Sequence, residues 1–510
     1  MKTRYRFIRS GVLLTATALT IKTVGMLFGA YISHAVGAEG VGLYTLIMTV
    51  YSFAVTVATS GVSLTVTRLV ASAIGSGREG EVSRILRGAM LYALFFGALS
   101  SVLLVFGAPI IGKWILSDER TVSAMQVLSL SLIPVSFCAV LSGYFVGVKR
   151  VAFNAVATIL GQGIKIAVTV AMVSYASGYG MVASVGALCA SITVTEIISF
   201  LIVGAEFLCD KRKYANKYSQ KRGNEIKDVV KMAIPLAVSA YIRSIFLSIE
   251  HILIPRKLKD RGEDSAEAYS HYGALHGMAL PLVLYPMTPL SSFSGLLVPE
   301  FAEDMAGGRE ERMSRVASLA VNTTLSYSVL IAVLLYCFSS ELGYLVYNSY
   351  DAGSYVAIIS PIIPIMYLDH ITDQVLKGIG EQVYSMWVNV TDSVLSVLLV
   401  WFLIPAFGIT GYALVIIIME GYNFLLSFIR LKKKIRFRIN LTESFFAPGV
   451  FALASARLAN VLFVYSGKDV SAPWLIVKMI FAVCVFLFVK FFIGTLTKIK
   501  KANIKAARSV

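Results

Sequence analysis

Apolar runs of about 20 residues, the length at which a helix crosses the hydrocarbon core of a bilayer, recur along the chain from Gly11 to a last run at 474–497. With 57% hydrophobic and 15% charged residues among 510, there is far more apolar material than a soluble domain can bury. The chain is therefore read as an all-α, polytopic membrane protein with about 14 transmembrane helices. The expected spans are 9–33, 40–71, 83–108, 123–149, 151–177, 181–207, 228–254, 273–305, 312–338, 352–380, 383–405, 408–434, 445–466 and 472–497. The basic start MKTRYRFIRS has the outline of a signal peptide, but Lys22 interrupts the apolar run and further spans follow at once, which favours a retained first helix.

Charge sets the expected orientation. With both termini cytoplasmic, 33 of the 46 Lys and Arg fall on the cytoplasmic side, 7 on the other side and 6 inside spans. This is a strong positive-inside pattern for a cell-membrane protein. The net charge of +17 is then explained by topology and anionic lipid rather than by nucleic acid, for which the run KRKYANKYSQKR offers no interleaved aromatic platform. One connection departs from the pattern. Residues 255–273 place Arg256, Lys257, Lys259 and Arg261 outside, balanced by Asp260, Glu263, Asp264 and Glu267.

Catalytic and metal signatures are absent from the sequence. The five cysteines are odd in number and widely spaced, so neither a disulfide framework nor a zinc site is readable. There is no HExxH, Walker loop or GxSxG. DHITD, at Asp369 to Asp373, comes nearest to a metal box, with two carboxylates on one helical face; a helix end wetted by cytoplasm explains it as well. No cofactor, no metal and no enzymatic activity are expected.

The stretch GSGREGEVSRI at 75–85 returns as AGGREERMSRV at 306–316, Arg78 falling on Arg309 at an offset of 231. Pro134 and Pro364 keep nearly the same register, and LSGYFVG at Leu141 corresponds loosely to LKGIG at Leu376. Two parallel halves result: a six-helix lobe over 1–207, a basic linker over 208–227, a second lobe over 228–434, and a further helix pair with a basic tail over 435–510. Parallel repeats are one way in which transporters build two lobes around a midplane site.

Four stretches carry a resemblance: GAEGVGLYTLIMTVYSFAVTVATSGVSLTVTRLVA from Gly37, GYFVG at Gly143, IEHILIPRKL from Ile249 and KGIGEQ at Lys377. In this order along fourteen spans they resemble the stage V sporulation protein B branch of the polysaccharide-exporter flippases, within the multidrug/oligosaccharidyl-lipid/polysaccharide superfamily. The resemblance implies two six-helix bundles working by alternating access. It also implies a lipid-linked glycan cargo, a cell-wall or spore-cortex precursor on an undecaprenyl carrier, handled within the bilayer. A monomer is expected.

Charges inside spans mark candidate sites whatever the family, because a central Lys or Arg costs roughly 2.5–3.5 kcal/mol on insertion. Lys22 lies mid-span in the first helix, and Arg243 lies mid-span in its repeat counterpart, the seventh. A fork-shaped guanidinium and a point-charge ammonium suit the two phosphates of a pyrophosphate-linked lipid. Lys165 is a further substrate-site candidate. So is Glu250, which lies seven residues after Arg243 on nearly the same face but about 10 Å along the axis, too far for direct pairing within the helix. Glu196, Asp369, Asp373, Asp392 and Glu420 are candidates for ion coupling. Pro281, Pro286, Pro289 and Pro299 in the eighth span remove so many N–H donors that the helix must be broken there, as a hinge or as a static kink.

Three functions fit. A lipid-linked glycan flippase is favoured by the duplicated core, the central cations and the two additional helices. A cation-coupled multidrug exporter shares the architecture but is expected to prefer central acids and aromatics. A membrane glycosyltransferase or ligase is expected to carry a sizeable outer catalytic loop, which the short 255–272 connection is not.

Overall fold

The computed structural model of the chain describes residues 2–59, 61–75, 80–148, 151–211, 225–464 and 474–488. Outside the described residues lie 76–79 of the first Gly-Arg-Glu connection, 212–224 of the basic linker, and 489–510 of the last expected span and tail. Helices α1 Lys2–Thr59, α2 Val62–Gly75, α3 Glu81–Ile110, α4 Arg120–Ser129, α5 Leu132–Gly147, α6 Val151–Ala176 and α7 Met181–Lys211 lead to the linker. After it come α8 Glu225–Asp260, α9 Ser265–Tyr272, α10 Leu280–Leu284, α11 Thr288–Ala306, α12 Glu310–Cys337, α13 Ser339–Tyr347, α14 Tyr350–Ile359, α15 Ile363–Gly378, α16 Gln382–Phe407, α17 Ile409–Lys434 and α18 Ala447–Val464. A last apolar helix, α19, covers Trp474–Phe488.

No strand occurs among the described residues. This is what a lipid environment demands of single segments, each helix satisfying its own backbone polar groups. Among the described residues eight helices are long and apolar enough to cross a membrane, or nine if the bent pair α4 and α5 counts as one crossing. Each expected span is mainly helical over the described residues, with turns at Gly61 and at 130–131 where α4 and α5 bend by 43°. The first two run into one another through Gly37, whose φ of 70° breaks helical geometry inside α1. That positive φ is available to glycine without steric cost.

The chain forms two compact units. One contains residues 35–273 and 400–408; the other contains 1–34, 274–399 and 409–510. The repeat reappears as the same pairwise packing inside each. In the first unit α2, α3 and α5 pack on one another and α5 packs on α7; in the second, α11, α12 and α15 do so and α15 packs on α17. Matching glycines make close crossings. A Cβ on Gly147 of α5 would sit 3.0 Å from Val70 Cβ of α2, and one on Gly378 of α15 would sit 2.8 Å from Phe301 Cβ of α11. Small residues at crossings let helices approach closely where lipid supplies no hydrophobic drive. The equivalent first helices of the two halves are exchanged: residues 1–34 group with the second half, and α8 groups with the first.

α18 and α19 bury Ala452, Ala456, Ala459, Leu475, Ala482 and Phe486 with Leu330, Leu334 and Phe338 from α12 and its end, so the C-terminal helix pair is part of the second unit. Between α17 and α18 residues 435–440 form neither helix nor strand. Their alternation is strict: Ile435 and Phe437 are buried in the core around α12, and Arg436 and Arg438 are exposed.

A polar stripe on α12 holds this strap. Ser314 donates to the Arg436 carbonyl, and Ser318 Oγ accepts the Arg438 N–H at 3.0 Å. Asn322 donates to the Arg438 carbonyl at 2.8 Å and accepts from the Asn440 N–H and the Ser444 hydroxyl at 2.9 Å each. Ser314 belongs to the second Gly-Arg-Glu copy. The first copy has Arg87 and Leu91 where this one has Ser318 and Asn322, so it carries no such ladder. Three bonds at about 0.5–1.5 kcal/mol each put the cost of Asn322→Ala at roughly 1.5–4.5 kcal/mol. Trypsin is expected to cut after Arg436 or Arg438 much faster in that variant than in the parent; equal cleavage rates would show that the ladder does not hold the strap.

Candidate functional site

The eighth expected span is broken as its prolines demand. A π-helical turn Gly273–Ala279, α10, a 3₁₀ turn Tyr285–Met287 and α11 follow one another. Side chains satisfy the carbonyls left over. Tyr367 of α15 donates to the Val283 carbonyl at 2.8 Å, Tyr327 of α12 to Pro286 at 2.6 Å, and Thr288 to Tyr285 at 2.7 Å. The Tyr285 hydroxyl in turn bonds Thr23 at 2.6 Å.

Beside this break lies a polar cavity of about 220 Å³. Three helices each contribute a stripe at helical spacing: Asp369, His370 and Asp373 from α15; Ser385 and Asn389 from α16; Glu420, Asn423 and Ser427 from α17. Leu284, Met287, Met366 and Val388 complete the wall. Asp392, one turn beyond Asn389, does not line the cavity, but its charge is felt by both Asp369 and Glu420. Four of the five ion-coupling candidates therefore converge in one unit, whereas Glu196 stands in the other, on α7, where it feels the charge of Lys165 from α6.

The cavity is short of positive charge. Asp373 accepts from Ser385 and pairs with Lys377 at 2.5 Å. Asp369 Oδ1 is buried with no hydrogen-bond partner, as is Asn423 Oδ1. His370 Nε2 shares a hydrogen bond with Ser294 at 3.2 Å. Glu420 has no basic partner among the described residues. Uncompensated carboxylates away from water cost several kcal/mol, and a proton or a hydrated monovalent cation is what such a cavity can take up. Among the described residues no three His, Cys, Asp or Glu come close enough to form a metal cage.

The polar lining residues His370, Ser385, Asn389, Asn423 and Ser427 were not among the sequence candidates. Their signal was present in the stripes Ser385, Asn389, Asp392 and Glu420, Asn423, Ser427, polar positions at helical period inside otherwise apolar spans.

The cations of the expected substrate site are differently placed. Lys22 belongs to the second unit and Arg243, on α8, to the first. Both are exposed, and neither has a hydrogen-bond or ion-pair partner among the described residues. Lys165 is half-buried. Glu250 is buried within the first unit, its charge close enough to be felt by Tyr272. Pro281 opens α10 and Pro286 lies in the 3₁₀ turn, while Pro289 and Pro299 lie in α11.

A family model described as polysaccharide biosynthesis protein matches residues 7–305, and a MatE model matches residues 274–402. Stage V sporulation protein B of Bacillus subtilis (strain 168) is 24% identical over 421 residues, covering 81% of this chain and 80% of that protein. Sporulation protein YkvU of the same organism is 20% identical over 361 residues, covering 70% and 79%. Among solved structures, the lipid II flippase MurJ in an inward closed conformation superposes with a TM-score of 0.69 at 14% identity, covering 95% of this chain and all of that one. An inward-facing multidrug resistance MATE family transporter of the MOP superfamily superposes with a TM-score of 0.66 at 15% identity, covering 83% and 97%. At these identities the structural likeness concerns the fold.

Proposed function

The chain belongs to the polysaccharide biosynthesis protein family, and from that premise we propose that it is a flippase moving an undecaprenyl-pyrophosphate-linked oligosaccharide, a cell-wall or spore-cortex precursor, to the outer leaflet by alternating access. The observation that carries the reading is the pair of free cations. Lys22 and Arg243 each lie mid-span in one of two corresponding helices, the first and seventh expected spans; each is exposed, and each lacks an anionic partner among the described residues. A buried-span cation kept without a counter-charge is costly, and a phosphate-bearing cargo supplies that charge during transport. A guanidinium such as that of Arg243 suits a phosphate as a bidentate fork, and an ammonium such as that of Lys22 suits one as a point charge.

In this reading the acid-lined cavity takes up the coupling proton or cation. Leu284 and Met287 of the broken segment line the same cavity, so occupation of the cavity bears directly on the break at Pro281 and Pro286, the hinge of the exchange; Pro289 opens α11 and Pro299 lies within it. The positive-inside pattern supports cytoplasmic termini.

A cation-coupled drug exporter is the second reading, favoured by the match of the MatE model over 274–402, a segment that contains Asp369, Asp373 and Asp392. Purified protein in liposomes separates the two. Leaflet-resolved flipping of defined undecaprenyl-pyrophosphate glycans is expected, with no export of lipophilic cations; the reverse outcome would favour the exporter.

A further inference from the structure

α8 carries a second free arginine. Arg256 ends a stripe of Ile245, Ser248, Ile249, Ile252 and Leu253, whose spacing of i, i+3, i+4, i+7, i+8 and i+11 puts all six on one helical face. With Phe53 of α1 and Ile115, at the end of a π-helical turn Ile111–Ile115, the stripe lines a groove of about 330 Å³ inside the first unit. The lining is apolar except for Ser248 and the guanidinium at its end.

Three carboxylates of the surrounding segments are already engaged. Asp118 accepts from Arg120 through Nε at 3.0 and 3.1 Å and Nη2 at 2.8 Å, and Glu39 accepts from Arg120 Nη1 at 2.9 Å. Burial alone would raise the Asp118 carboxyl, but hydrogen bonds from Arg120 and the charges of Arg120 and Lys259 hold it below the usual carboxylate range. Asp118 therefore remains anionic and bound to Arg120 at neutral pH. Asp260 pairs with Lys257 at 3.1 Å, and that ammonium also lies 3.7 Å from the centre of the Trp401 ring. Lys259 donates to the Tyr269 hydroxyl at 2.9 Å. Arg256 is exposed and has no partner among the described residues.

An apolar groove running along the seventh expected span and ending in an unpaired guanidinium just beyond it complements a hydrocarbon chain joined to a phosphate. The source follows from α8 itself. Arg243 and Arg256 lie on one continuous helix, thirteen residues and about 20 Å apart, so a single rigid element offers phosphate-binding groups at two depths.

We propose that this groove seats the leading isoprene units of the lipid-linked substrate, with the chain's phosphate held by Arg256 in the leaflet next to the 255–272 connection. The assignment rests on the flippase reading and gives it a second station, at which the anchor dwells after leaving mid-span.

The test uses full-length protein in nanodiscs with a polyprenyl phosphate bearing a photoreactive group near its phosphate end. Crosslinks are expected at residues 245–256 or Phe53. Arg256→Gln should lower the yield about tenfold, the lower end for one charge-assisted bond, and Arg256→Lys should retain part of it. Ile249→Trp, which fills the groove, should also lower the yield while the protein elutes as the parent does.

Competition by phosphatidylglycerol as effective as by unlabelled polyprenyl phosphate would make this a general anionic-lipid site and overturn the assignment. Crosslinking indifferent to Arg256→Gln would make it ordinary lipid contact and overturn the assignment equally. Glycan flipping measured on the same preparation separates the two readings. Selective labelling without flipping by the parent protein rejects the flippase and keeps the groove; flipping with unselective labelling rejects the groove alone.

Discussion

Replacing Lys22 and Arg243 together by Gln is expected to weaken binding of a pyrophosphate-linked polyprenyl lipid by roughly a hundred- to ten-thousandfold. Each charge-assisted contact contributes about 1.5–3 kcal/mol, so either single change should give roughly a ten- to a hundredfold loss. A neutral lipid of similar size is the control, and its binding should hardly change. Arg243→Lys should fall in between, because the charge survives but the two-pronged geometry does not. Folding is no obstacle to the reading of this test. Both side chains are exposed and without partners among the described residues, so removing them leaves no orphaned group behind. Equal losses for neutral and pyrophosphate lipids would make the two cations structural and return the drug exporter to first place.

The helices were legible in the sequence because a bilayer removes the alternatives. A twenty-residue apolar run in lipid has to close its own backbone hydrogen bonds, and each such run is mainly helical over the described residues. The break in the eighth run was legible for the converse reason, since four prolines take away donors that no helix can replace. Its repair was not. Tyr327 and Tyr367 reach the segment from helices whose packing partners are set by shape rather than by local pattern.

The strap at 435–440 was hidden for a different reason. Its composition, IRFRIN after KKK, reads as a charged connection, and the two-residue alternation acquires meaning only against the Ser314, Ser318 and Asn322 stripe more than a hundred residues earlier. The acids were legible one by one as charges inside spans. Their convergence from α15, α16 and α17 was not, because it depends on the rotation of each helix about its own axis, which the apolar periodicity of a wholly hydrophobic span leaves weakly defined.

That convergence sets up opposite effects on stability and on transport. Asp369→Asn combined with Glu420→Gln keeps shape and hydrogen-bonding capacity but removes two acids from a cavity whose one nearby cation, among the described residues, is engaged with Asp373. Replacing buried charge by neutral groups of similar volume is often neutral or stabilising by about 1–4 kcal/mol. The double variant is therefore expected to melt no lower than the parent in detergent, and up to several degrees higher. Its transport should behave in the opposite sense. If the cavity binds the coupling proton or cation, flipping in liposomes should lose its response to an imposed proton or sodium gradient, with a fall of at least about a hundredfold in gradient-driven rate, because the lost charge–ion contacts are worth some 3 kcal/mol or more together. Lys22 and Arg243 are untouched, so binding of the pyrophosphate lipid should stay within about threefold of the parent, under 1 kcal/mol. A variant that melts lower and loses lipid binding as well would mark the acids as part of the packing. One that keeps its full gradient response would remove the cavity from the transport cycle, and the driving force would then have to act elsewhere in the protein.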